Sequence, residues 1–295
     1  MTTATESTRV ASWRLLSRNP VTVVSAVVLG VVVVVAVAAD WIAPSGVNDV
    51  DVPNALQPPN GQHWFGTDEL GRDILSRVLV AIQASMRVAV VSVAFAVVVG
   101  VTVGVIAGYR GGWVDTVFMR VVDVMFAFPV LLLALAVVAI LGPGTTTTIL
   151  AIGIVYTPIF ARVARASTLG VRVEPYVQMS RAMGTGSLYI LGRHVIPNIA
   201  GPLIVQTSLS LAFAILSEAA LSFLGLGIQP PQPSLGRMIF DSQGFVTMAW
   251  WMAVFPGAAI FVIVLAFNLV GDGLRDVLDP KQRSMIEARA REERK

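Results

Sequence analysis

Apolar residues in this chain are gathered into long runs separated by shorter polar stretches. Six windows stand out: Val21 to Ala39, Val88 to Gly108, Val121 to Leu141, Thr147 to Ala161, Ile199 to Leu216 and Met248 to Val270. A bilayer-crossing helix needs roughly 17–25 mostly apolar residues, and five windows meet that length. Thr147 to Ala161 is short; it crosses only if its helix continues past Arg162 and Arg165, whose long side chains can reach the interface. The pattern predicts an all-α integral membrane protein with six transmembrane helices. A polar leader covers residues 1 to 20, the first span 21 to 39, a core of five spans 88 to 271 and a polar tail 272 to 295.

The segment between the first two windows, residues 40 to 87, is polar and rich in Pro, Asn, Asp and Gly. It is too poor in apolar residues to hold its own core, so it packs on the bundle. Its second half places Ile74, Val78 and Ile82 on one helical side, the spacing of an interfacial helix leading into the second span. Asp68, Arg72 and Asp73 read there as loop anchors. The second span carries Ala96, Gly100, Gly104 and Gly108 at four-residue intervals, a ridge that lets another helix approach closely. That helix belongs either to this subunit or to a second one. Pro129, Pro158, Pro202 and Pro256 fall within spans, which a membrane tolerates only where neighbours satisfy the freed carbonyls.

Composition agrees: 55% of the 295 residues are hydrophobic and 13% charged, and mean hydropathy is +0.76. The net charge of +3 says more about orientation than about nucleic acid. With the N-terminus inside and six crossings, only Arg72, Arg77, Arg87 and Arg237 of the 21 basic residues fall outside. Basic residues are retained on the cytoplasmic side, so both termini are expected inside. Ala36-Val37-Ala38 could be a signal-peptidase site, but a run of 19 residues exceeds the usual 7–15 of a signal core. The first helix is therefore expected to be retained.

Much chemistry is excluded. Cysteine is absent, and His63 and His194 lie in different segments. Gly142-Pro143-Gly144-Thr145 lacks the lysine of a phosphate-binding loop, and neither a His-Glu-x-x-His helix nor a Gly-x-Ser-x-Gly elbow occurs. No catalytic residue, bound cofactor or metal site is expected. Glu218 is the acid lying well inside an apolar stretch. A carboxylate there faces the bundle interior or a water-filled path; it either lines a substrate route or partners a polar group on another helix.

Residues 170 to 197, between the fourth and fifth windows, read as a helix, a break at Gly184-Thr185-Gly186, and a second helix stopped by Pro197. Such a rigid element suits a transporter that lacks a nucleotide site and receives force from a partner. A stand-alone channel or carrier would not need it.

Here the sequence resembles the coupling loop of ABC importer permeases, whose pattern is Glu-Ala-Ala, three residues, Gly, then nine residues before a segment ending Leu-Pro. Gly184 falls on the glycine and Ile196-Pro197 on the end, while Gln178, Met179 and Ser180 replace Glu-Ala-Ala. Two further stretches, His63-Trp64-Phe65-Gly66-Thr67-Asp68-Glu69-Leu70-Gly71-Arg72-Asp73 and Leu221-Ser222-Phe223-Leu224-Gly225-Leu226-Gly227, resemble the dipeptide/oligopeptide/nickel importer family. So does the ending Phe267 to Asp276. The resemblance covers about residues 10 to 283 and points to the second of two permeases. It implies the type I ABC importer permease fold in a prokaryotic inner membrane, with Gln178, Ser180, Arg181, Gly184, Gly186 and Pro197 in the coupling loop. The partners it implies are a second permease, two ATPase subunits using ATP and Mg2+, and an external substrate-binding protein. Small peptides are the expected cargo and chelated nickel the alternative.

Overall fold

A computed structural model describes residues 20–278. The predicted leader, apart from Pro20, and the tail beyond Leu278 lie outside the described residues. Among those residues the chain is helical, with one isolated bridge between Thr67 and Asp73 and no strand. Five helices are long and apolar enough to cross a membrane: α1 Pro20–Ile42, α2 Ile74–Arg110, α5 Thr145–Val171, α7 Ser187–Phe223 and α9 Trp251–Leu278. Between α2 and α5 lie α3 Gly112–Phe126 and α4 Val130–Leu141. Two short helices, α6 Pro175–Ala182 and α8 Leu235–Asp241, complete the chain.

Three predicted elements differ in outcome. The third window is not one straight span: α3 and α4 meet at 91° and count as a sixth span only if taken as a bent pair. Pro129 caps α4 in an extended conformation, φ −56° and ψ 135°, and a proline disfavours helical geometry in the residue before it, here Phe128. The predicted interfacial helix is not separate from the second span either. Asp73 caps a single 37-residue helix by accepting from the Ser76 amide at 2.8 Å, and Ile74, Val78 and Ile82 all bury on its inner side. Finally, Pro197 does not stop a helix. A π-helical turn over Leu191–Val195 absorbs the hydrogen bond that proline cannot make, and α7 runs on through Phe223.

The fourth span continues past Arg162 and Arg165 to Val171. Instead of reaching for the interface alone, these arginines pair with α3: Arg162 donates to Asp123 at 2.7 Å and Arg165 grips Asp115 through two bonds. The bundle core centres on α2, α5 and α7, with Ile152, Phe160, Ile215 and Leu221 fully buried. The closest seam is α2 against α5. A Cβ on Gly100 would meet the Thr157 carbonyl oxygen at 2.5 Å; on Gly104 it would fall on the Ala161 carbonyl oxygen, and on Gly108 it would lie 2.9 Å from that of Arg165. The glycine ridge thus contacts a helix of its own chain, and any side chain there would push the backbones apart.

Candidate functional site

The turn between α6 and α7 follows from its backbone chemistry. Gly184 has φ +76°, a region that glycine enters without steric cost. The Thr185 amide donates to the Ser180 carbonyl at 3.1 Å and the Gly184 amide to the Arg181 carbonyl at 3.0 Å, the paired bonds that close a helix end around a left-handed residue. Gly186 has φ −60° and ψ 142° as it opens the next helix, a geometry open to other residues. Gln178 donates to the Val173 carbonyl and the Ser180 hydroxyl to the Tyr176 carbonyl, at 2.8 and 2.9 Å, so both side chains hold their own segment.

This helix–turn–helix is docked on the bundle by a core of its own. Val177, Ile190, Val195 and Ile199 pack with Val105 and Tyr109 of α2 and Ala164 of α5. Polar ties reinforce it: the Arg172 guanidinium donates to the Gly108 carbonyl at 2.9 Å, and that of Arg181 lies over the Tyr109 ring, 4.8 Å from its centre. The opposite side is apolar and uncovered in the isolated chain. Met179, Met183, Leu188 and Tyr189 are each more than 60% exposed.

Glu218 belongs to a different place. It lies on the same helix as Pro197 but 21 residues further on, about 30 Å along the axis. It is fully buried. Ser85 of α2 donates to its carboxylate at 2.5 Å and Ser222, one turn onward, at 2.6 Å. The Ser222 hydroxyl in turn accepts from the Ile228 amide at 3.1 Å, so the acid joins α2, α7 and the loop that follows. Ser85 carries no sequence signal of this role, since it precedes the second apolar window, which begins at Val88.

A third region escaped the sequence reading. At the bundle end holding residues 40 to 73, a cavity of about 480 Å3 opens among Asp40, Gln83, Arg87, Thr145, Gln232 and Pro233. These come from α1, α2, the start of α5 and the loop before α8. Elsewhere, in the loop before α2, Asp68 accepts from the Leu70 and Arg72 amides and from the Arg72 guanidinium, and Arg77 lies 3.5 Å away. Burial pushes the Glu69 carboxyl above its usual range, and one of its oxygens is enclosed without a hydrogen-bond partner.

Known proteins resolve what such a bundle belongs to. Residues 100–284 match the family model described as binding-protein-dependent transport system inner membrane component. The chain belongs to this family. Residues 8–59 also match the N-terminal transmembrane domain of oligopeptide transport permease C. The dipeptide transport system permease protein DppC of Alkalihalophilus pseudofirmus is 42% identical over 94% of this chain and 92% of its own. The glutathione transport system permease protein GsiD of Escherichia coli is 44% identical, over 91% and 89%. In structure, the MetNI methionine ABC transporter in an inward-facing form aligns with a TM-score of 0.59 at 18% identity, covering 70% of this chain and 98% of that one; it shares the fold. The chain is therefore a multi-pass, non-catalytic permease component of an ABC importer with the type I fold.

Proposed function

We propose that this permease forms half of a pathway that carries small peptides into the cell. The named cargoes of its relatives, a dipeptide and the tripeptide glutathione, support that class. Force arrives through residues 170 to 197. Two ATPase subunits, which use ATP and Mg2+, dock on the uncovered apolar side around Met179, Met183, Leu188 and Tyr189. A second permease completes the bundle, and an external binding protein delivers the peptide. The basic asymmetry supports an orientation with both termini in the cytoplasm, and Glu218 then works as a clamp between α2 and α7 in the outer half of the bundle.

One observation carries the mechanism: the loop has its own small core against α2 and α5 and is folded back at its middle by a glycine-closed turn. A push on α6 is therefore delivered to α2, α5 and α7 together, and shifts a two-state bundle as a body. Gly184→Val tests this. The space around a Cβ at Gly184 is open, so the variant acts through the backbone angle, at a cost of about 1–3 kcal/mol for a non-glycine residue. The spans should still insert and the subunit accumulate. In a reconstituted complex, substrate-stimulated ATP hydrolysis and peptide uptake should fall to near background. Normal uptake by Gly184→Val would remove this loop from force transmission.

A further inference from the structure

Four arginines sit at the end of the bundle that the charge distribution puts outside. Three are neutralised. Arg72 pairs with Asp68 and Glu69, Arg77 lies against Asp68, and Arg237 donates to Asp241 at 2.8 Å. Arg87 makes no ion pair or hydrogen bond among the described residues, and it lines the 480 Å3 cavity. It stands where the apolar part of α2 begins, and an ionisable side chain on a spanning helix signals function by default. Asp40 lines the same cavity. Its one polar contact is a marginal 3.5 Å to the Gln83 amide, so it too lacks a cation.

Gln83 and Arg87 are one helical turn apart on α2, about 6 Å along its axis. Asp40 beside Gln83 and Arg87 one turn on thus present opposite charges about a turn apart in a pocket whose remaining walls include Val80 and Ala84. A two-residue peptide spans about 7 Å end to end, with an ammonium at one end and a carboxylate at the other. We infer that this cavity is an outer receiving site for a small zwitterionic peptide, with Asp40 taking the ammonium, Arg87 the carboxylate, and Gln83 and Gln232 bonding the amide between them. The inference rests on the peptide-importer reading and adds to it where the cargo first meets this subunit. Neither charge is tied to a protein partner, so each is available to a transient ligand without first breaking a salt bridge.

The test uses the complete importer reconstituted with its binding protein, and a Gln83→Cys variant, since the chain has no cysteine of its own. A membrane-impermeant thiol reagent should label this cysteine from outside. Binding protein loaded with L-alanyl-L-alanine, in the presence of ATP, should slow labelling about threefold or more relative to peptide-free binding protein. In the otherwise native complex, Arg87→Gln should lower dipeptide uptake about tenfold, the loss of roughly 1.4 kcal/mol of charge interaction. Basal ATP hydrolysis should be unchanged, and Arg87→Lys should recover much of the uptake. Wild-type uptake by Arg87→Gln overturns the assignment. So does a cysteine that never labels, because the second permease then fills the cavity. Protection that requires phosphatidylethanolamine in the vesicles and not peptide gives the cavity to a lipid headgroup of the same zwitterionic chemistry. If the wild-type complex imports no dipeptide, the peptide reading itself fails and this site falls with it; uptake by wild type with unaffected variants removes the cavity alone.

Discussion

The two ends of this bundle are held together by different forces. At the end carrying residues 40 to 73, directional bonds dominate. Asp68 gathers two amides and the Arg72 guanidinium, Asp73 caps α2 while His63 lies 2.9 Å away, and the Trp251 indole donates to the Thr67 carbonyl at 3.1 Å. The α6–α7 end rests chiefly on an apolar cluster, and much of its polar bonding is local, as with Asn198 to the His194 carbonyl at 2.6 Å. Apolar attraction is non-directional, so a docked helix can tilt without losing it, whereas a buried charge network holds one register. The proposed force-transmitting role of the α6–α7 loop would call for the first property, and a rigid cap for the second.

Breaking the outer network should have the largest effect. Asp68→Ala leaves Arg72 and Arg77 facing each other without the buried acid between them, and removing one partner of a buried pair typically costs about 3–5 kcal/mol. Both arginines should then become trypsin sites from outside in spheroplasts, while wild type resists. The same digestion in inside-out vesicles should spare this loop; cleavage there instead would reverse the orientation.

Ile190→Ala probes the other end. Ile190 is fully buried in the cluster under the Gly184 turn, and truncating such a residue costs about 2–5 kcal/mol. The loss should be confined to the loop. ATPase subunits should co-purify less well and coupled hydrolysis should weaken, yet the outer loop should remain trypsin-resistant. A variant that loosens both ends equally would show that the two regions are one cooperative unit.

The smallest effect carries the opposite sign. With its carboxyl pushed up by burial, Glu69 binds its proton more tightly in the folded protein than in the unfolded chain. Its contribution therefore falls as pH rises from the unfolded value through the folded one. Glu69→Gln should stabilise the fold slightly at neutral pH, by under about 1 kcal/mol, read as a small rise in the thermal midpoint, and the gain should vanish in mildly acidic buffer. An equal gain at both pH values would assign the effect to packing.

Long apolar runs were sufficient to place five long helices, because a hydrogen-bonded backbone in lipid demands them whatever their neighbours, but not to show that the third window is a pair bent by 91°. The Gly184 turn was legible for a similar reason: a left-handed backbone needs glycine locally. Motif resemblance placed the family. Long-range pairing was not legible. Nothing near Glu218 in the chain announces Ser85, which is 133 residues away, and nothing near Arg87 announces that its three companions are neutralised while it is not. The sharp angle at Pro129 and the unbroken helix through Pro197 were likewise decided in three dimensions. A proline states only that one hydrogen bond is missing; whether the chain bends or rewinds as a π turn depends on what packs around it. Sequence determined which segments form long apolar helices and where the chain can turn. Tertiary structure decided which charges find partners, since that depends on helices brought together from distant parts of the chain.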